Sequence, residues 1–229
     1  MLFRALVLGV AVAALAAAPV SAAPTLAPLK PCYVAATPDQ REFVVIDGKD
    51  FTPLSVVDIY VDDILQPVDG PEPRRANYDR TVFGSVAAPF VDEGQRMFSL
   101  RVTEHDTPAN TATRTAKVTR LSVAQVPERA ATNDPVRFRG RGFMADAPVY
   151  AHYVFAGKSR RTVRIGMPRG ACGTFSVRRK QFPFKKSPRV GLWTIWFDQE
   201  ARYTPKAAVR VPLTIRVRPR IKPQRARAR

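Results

Sequence analysis

The sequence predicts an all-β protein made of two β-sandwiches. Three observations carry that expectation: strict period-two alternation, dense turn punctuation, and self-similarity at an offset of 92 residues. Alternation with one apolar side marks half-buried antiparallel strands. Val57, Ile59 and Val61 alternate with Asp58, Tyr60 and Asp62. Val149, Ala151, Tyr153 and Phe155 alternate with Tyr150, His152 and Val154. Trp193, Ile195 and Phe197 share one face, as do Val211, Leu213, Ile215 and Val217. Turn signals fall between these runs at Asp69-Gly70-Pro71, Gly94, Pro108-Ala109-Asn110, Gly157-Lys158, Met167-Pro168-Arg169-Gly170 and Ser187-Pro188. Such spacing suits a sandwich. The 21 prolines disfavour long helices.

The repeat sets the domain organisation. Residues 45–51 align with 137–143, so that Gly48 matches Gly140 and Phe51 matches Phe143. Val57 then matches Val149, and Phe83 matches Phe175. Further on the register drifts by a few residues, as loop insertions cause. Met97-Phe98-Ser99-Leu100 corresponds to Leu192-Trp193-Thr194-Ile195, and Thr107-Pro108 to Thr204-Pro205. This period is longer than the ~20–50 residues of solenoid repeats and suits a duplicated small domain. The expected domains are 31–121 and 122–218. Leu121-Ser122-Val123 joins them, too short a link for independent tumbling. Residues 219–229 are basic and lack an apolar face, which predicts a disordered tail.

The first residues have the form of a secretory signal. Arg4 is followed by the apolar run Ala5 to Ala18, then Pro19 and the small residues Val20-Ser21-Ala22. Cleavage is expected after Ala22, giving a signal peptide of residues 1–22 and a secreted or cell-envelope protein. The apolar run is shorter than the ~18–20 residues that span a bilayer, and no later segment approaches that length. Pro28-Leu29-Lys30-Pro31 before Cys32 lacks a lipid-attachment context. The chain has two cysteines, Cys32 and Cys172, one in each half. An exported chain with an even count suggests a disulfide between them. Two unpaired thiols are the alternative, with Cys172 a small apolar filler.

Two segments resemble the corner of bacterial immunoglobulin-like modules, including the IPT/TIG type. They are Gly48-Lys49-Asp50-Phe51-Thr52-Pro53 and Gly140-Arg141-Gly142-Phe143. In those modules the corner precedes an alternating strand, the place held here by Val57–Val61 and Val149–Tyr153. Asp50 departs from the usual glycine, but Asp tolerates a left-handed backbone. Over its whole length the chain is similar to a set of exported actinobacterial proteins. Leu29–Val34, Tyr150–Phe155 and Gly170–Phe175 carry that likeness. The resemblance implies two tandem immunoglobulin-like β-sandwich domains and export. It implies no activity, because such folds host many functions.

Charge is the informative functional signal. Residues 24–121 carry 11 Lys and Arg against 14 Asp and Glu, a net of −3. Residues 122–229 carry 25 against 5, a net of +20. Arginines outnumber lysines 28 to 9. Codon bias alone does not account for this, since acids fall away where arginines accumulate. Arg137, Arg139 and Arg141 alternate on one strand face. Arg160, Arg161 and Arg164, then Arg178, Arg179 and Lys180, then Lys185 and Lys186 form further clusters. Tyr150, Phe182, Phe184 and Trp196 interleave with them. Trp196 points away from Trp193, Ile195 and Phe197, so it either stacks on a guanidinium or ligand or lies under the neighbouring domain.

Arginine pairs bidentately with phosphate and carboxylate. The predicted partner is an anionic polymer: teichoic acid, an acidic glycan or nucleic acid. The alternative is a protein adhesion or scaffold module whose acidic and basic domains dock on each other. Catalysis finds little support. His105 beside Glu104 and Asp106 is expected in a surface loop, and His152 on an exposed strand face. No cofactor is expected. Asp58, Asp62 and Asp63 match no calcium-loop spacing, and two histidines with distant cysteines offer no metal set.

Overall fold

A computed structural model of the chain describes residues 22–67, 73–143, 146–206 and 210–219. The expected signal segment, apart from Ala22, lies outside the described residues. So do the turn at 68–72 and the tail from residue 220. Every regular element among the described residues is a β-strand. The first half holds β1 (Thr25–Leu26), β2 (Cys32–Thr37), β3 (Gln40–Arg41), β4 (Phe43–Lys49), β5 (Val57–Val61), β6 (Ile64–Leu65), β7 (Val82–Ala87), β8 (Gln95–Glu104) and β9 (Thr111–Arg120). They form a sheet of order β1-β4-β7 and a second of order β3-β2-β9-β8-β5-β6.

The second half holds β10 (Ser122–Val126), β11 (Pro135–Arg141), β12 (Val149–Phe155), β13 (Lys158–Gly166), β14 (Phe175–Lys180), β15 (Gly191–Asp198) and β16 (Val211–Val217). Their sheets run β10-β11-β14 and β13-β12-β15-β16. In both halves the chain crosses repeatedly between two sheets, antiparallel but for the parallel pairing of β2 with β9, the immunoglobulin-like sandwich order. The protein is therefore a tandem of immunoglobulin-like sandwiches. The offset of 92 persists in three dimensions: β4 and β11 begin and end 92 residues apart, and β5 and β12 begin 92 apart.

Local chemistry explains the corners. Gly142 has φ 84°, and a Cβ there would lie 2.9 Å from the Leu121 Cα. Its counterpart Asp50 has φ 66°, so the departure from glycine is accommodated by the residue type that tolerates that region. The β5–β6 and β12–β13 hairpins both turn on two residues of positive φ, Asp62-Asp63 and Ala156-Gly157. Two such residues match the twist of the flanking strands.

Each sandwich has its own core. The first gathers Val44, Ile46, Phe51, Ile59, Phe98 and Leu100. The second is more aromatic, with Phe138, Phe143, Tyr153, Phe182, Trp193 and Phe197. Strand β2 serves both. Tyr33 and Ala35 lie in the first core, and Val34 and Ala36 pack against the second. Between β9 and β10 stands one residue, Leu121, which is buried in the second core and donates its N–H to the Ala35 carbonyl.

Cys32, at the head of β2, is bonded to Cys172 across a separation of 140 residues. The expected disulfide is therefore present, and neither thiol is free. Closing a loop of that length contributes about 5 kcal/mol in the chain-entropy view.

Close packing around this bond yields a testable contrast. A Cβ on Gly173 would fall 1.4 Å from the Phe143 carbonyl oxygen, whereas a Cβ on Gly170 meets nothing within 4 Å. Gly173→Ala is expected to lose more than about 3 kcal/mol of stability or to fail to fold. Gly170→Ala, also at positive φ, should lose about 1 kcal/mol. Urea titration of the two variants checks the difference.

Candidate anion-binding face

Strand β11 is the central strand of its sheet, and its alternation sends Val136 and Phe138 inward and Arg137 and Arg139 outward. Register with β14 extends this outer face. Arg137 stands opposite Arg178, Arg139 opposite Ser176, and Pro135 opposite Lys180. Facing residues of an antiparallel pair project to the same side. Arg137, Arg139, Arg141, Arg178 and Lys180 therefore form one cationic surface. Arg137 Nη1 donates to Ser176 Oγ at 3.3 Å. None of these five side chains has a carboxylate partner among the described residues.

At the edge of this surface β14 lies beside β13 of the other sheet. β14 ends one sheet and β13 ends the other. Arg179 turns away from Arg178 and Lys180, and its Nη2 donates to the Ile165 carbonyl of β13 at 3.4 Å. Burial holds the Tyr153 phenol above its usual titration range, while the positive charges of Arg179 and Arg161 oppose that shift. Arg161 is also the register partner of Tyr153 across β12 and β13. Arg160, Arg161 and Arg164 are all exposed along β13. Lys185 and Lys186 are exposed in the loop between β14 and β15, beside Phe184.

The interleaved aromatics divide differently from expectation. Phe182 is buried and Phe184 half-buried; they pack on Tyr153 and Trp193 at centroid distances between 5.3 and 5.8 Å. They are core, because the loop that carries them closes the end of the sandwich. Trp196 does face outward, but from the sheet opposite the cationic surface, in register with His152 and Pro212. The Arg210 guanidinium lies 5.1 Å from its ring centre. Trp196 therefore has its stacking partner within the same sandwich.

His152 requires a correction. Alternation placed it on an exposed strand face, yet it is wholly buried. Its Nδ1 lies 2.8 Å from Thr162 Oγ1, and its Nε2 lies 2.9 Å from Asp198 Oδ1 and 3.1 Å from the Glu200 carbonyl. Two acceptors at Nε2 make that nitrogen a donor. Arg210 Nη2 approaches the other Asp198 oxygen at 3.4 Å. Tyr203 covers the imidazole at 5.7 Å and Arg210 at 5.0 Å. Residues 199–206 thus fold over the outer face of this sheet, beside the buried pairing of Asp198 with His152 and Arg210. The signal for it in the sequence was Asp198 following Trp196 at the end of an alternating strand.

Three acids of the first half, Asp58, Asp62 and Asp63, are individually engaged. Asp62 accepts from Arg96 Nη1 at 2.6 Å and from the Ser99 N–H at 3.0 Å. Asp63 accepts from Arg101 Nη2 at 3.1 Å. Asp58 lies 2.9 Å from His105 Nδ1. The three carboxylates point to three different partners, and no group of metal-binding side chains is found among the described residues. No helix among the described residues is long and apolar enough to cross a membrane.

No family model and no curated protein matches the chain. Solved structures do match it. The titin Ig tandem domains A164-A165 are 13% identical, with 85% of this chain and 95% of that chain covered, at a TM-score of 0.30. Murine CEACAM1b is 12% identical, with 85% and 98% covered, at a TM-score of 0.22. At these scores the likeness carries no argument, and the fold stands on strand order and register.

Two predictions attach to the histidines. His152→Ala leaves Asp198 buried with an incomplete set of partners and is expected to cost about 3–5 kcal/mol by urea titration. The hydrogen bond that His105 donates to Asp58, then the charge of that carboxylate, raises the pKa of His105. Stability from this exposed pair is therefore fully present below the unfolded pKa and fades as pH rises through the higher folded value. NMR titration should place His105 above ~6.5, and Asp58→Asn should bring it down.

Proposed function

We propose that the chain is an exported, non-catalytic module that adheres to an anionic polymer of the cell envelope through its second sandwich and residues 219–229. Teichoic acid, an acidic glycan and nucleic acid share the required chemistry. One observation supports this reading above the others. Arg137 and Arg178 stand directly opposite each other, with Arg139, Arg141 and Lys180 on the same side and no carboxylate among them. A surface of guanidiniums with free donors suits bidentate capture of phosphate, sulfate or carboxylate. The disulfide suits an oxidising compartment, in keeping with a signal peptide at residues 1–22. The left-handed corners at Asp50 and Gly142 agree with IPT/TIG-type modules at 31–121 and 122–218.

Charge docking between the halves is the weaker account. The two sandwiches do touch, but through the apolar side of β2, Leu121 and the disulfide. Among the described residues no ion pair joins one half to the other. Glu42, Asp58, Asp62 and Asp63 pair with Lys30, His105, Arg96 and Arg101 of their own half.

Retention on a heparin column tests the proposal. The disulfide-intact chain should bind and elute with salt, because binding releases counter-ions. Replacing Arg137, Arg139, Arg178 and Lys180 together with Gln should abolish most retention. It should also flatten the dependence of log affinity on log salt by about 3 to 4, at ~0.7–0.9 for each cation removed. Deleting residues 219–229 should weaken retention further. Unchanged elution of the fourfold variant, at an unchanged melting temperature, would overturn the reading.

A further inference from the structure

Between the two sandwiches lies a cleft of about 1400 Å³. One wall comes from the first half, where Asp92 and Glu93 occupy the turn between β7 and β8. The other comes from the second half, where β11 supplies Arg139 and Arg141 and the turn after β13 supplies Arg169. The walls meet at Gly94, where an added Cβ would sit 3.4 Å from Arg141 Nη1. Both signs of charge thus line one concavity.

These charges do not satisfy one another. Among the described residues no ion pair joins Asp92 or Glu93 to Arg139, Arg141 or Arg169. Asp92 and Glu93 are exposed, as are Arg139 and Arg169. Two other arginines of the lining are already engaged. Arg120 donates to the Asp92 carbonyl and lies over Phe90, and Arg210 is held by Asp198, Trp196 and Tyr203. The walls cannot close to pair their charges, because the disulfide and the shared strand β2 fix the spacing of the halves.

We infer that this cleft selects a polymer that carries ammonium groups beside its anionic groups. The inference rests on the polyanion reading and names the substrate class within it. A purely anionic chain in the cleft meets Arg139, Arg141 and Arg169 but is repelled by Asp92 and Glu93. A chain with alternating anionic and ammonium groups satisfies both walls. Repulsive groups placed against the wrong ligand are how charged sites discriminate.

The probes are poly(glycerol phosphate) carrying amino-acid esters and the same polymer after mild alkaline removal of those esters. Affinity for the disulfide-intact chain is measured by calorimetry at fixed salt. Esters lower the negative charge of the polymer, so simple counter-ion release favours the stripped form. The cleft reverses this: the esterified polymer should bind at least about 3-fold tighter. The double variant Asp92→Asn/Glu93→Gln should lose that preference and favour the stripped polymer. Both side chains are exposed, so the variant should fold, and its melting temperature verifies this. Tighter binding of the stripped polymer by the parent chain would overturn the cleft inference and leave polyanion adhesion standing. The same holds if the double variant keeps the preference for esters. Binding of neither polymer would overturn the adhesion reading itself.

Discussion

Strand β2 is the element on which the architecture depends. Its sequence, Cys-Tyr-Val-Ala-Ala-Thr, is almost wholly apolar where a half-buried strand would alternate. Such a run fits a strand covered on both sides. One side enters the first core and the other packs against the second. Its edges are equally committed. β2 pairs in parallel with β9, and Glu42 Oε2 accepts the Val34 N–H at 2.8 Å. A strand shared in this way makes the two sandwiches one body, with the disulfide at its head as a covalent lock. The inter-domain cleft has a fixed width for that reason.

The same scaffold carries two different surfaces. On β4 the inward residues are Val44, Ile46 and Gly48; on β11 they are Val136, Phe138 and Gly140. The outward residues diverge. Phe43 and Val45 on β4, with Phe83 on β7, are each more than 60% exposed, while β11 presents Arg137 and Arg139. Packing constrains only the inner side of a sheet, so a duplicated module can keep its core and change its face. The second face is cationic because of the residues at outward strand positions, while the inward positions stay apolar.

Alternation made the strands legible, and the corner glycines made the repeat legible, because both depend on local backbone rules. The cationic strand face followed from the same rule: period two places Arg137 and Arg139 together without any knowledge of the neighbours. What failed was everything that depends on what covers a sheet from outside. His152 occupies an outward position, but the segment after Asp198 folds over it, and no periodicity reports a covering loop. Phe182 and Phe184 sit next to basic runs in sequence while their rings close the end of the core. Asp62 and Asp63 were legible as acids, and less so as the two residues of a hairpin turn. The partner of Cys172 was suggested by count and compartment alone; the close fit of Gly173 against Phe143 is a property of the folded chain.

A structural explanation of the arginines covers only some of them. Edge strands are shielded from unwanted pairing by charged side chains. β13 and β14 are edges, so Arg160, Arg161, Arg164 and Arg179 have work to do there whether or not a ligand exists. β11 is different. It is hydrogen-bonded on both sides, to β10 and β14, and has no edge to protect. Placing Arg137 opposite Arg178 costs stability, because like charges across a strand pair repel. A neutral pair would fold at least as well. Folding does not account for the cations on the central strand, and the anionic ligand proposed for this face would turn their repulsion into binding.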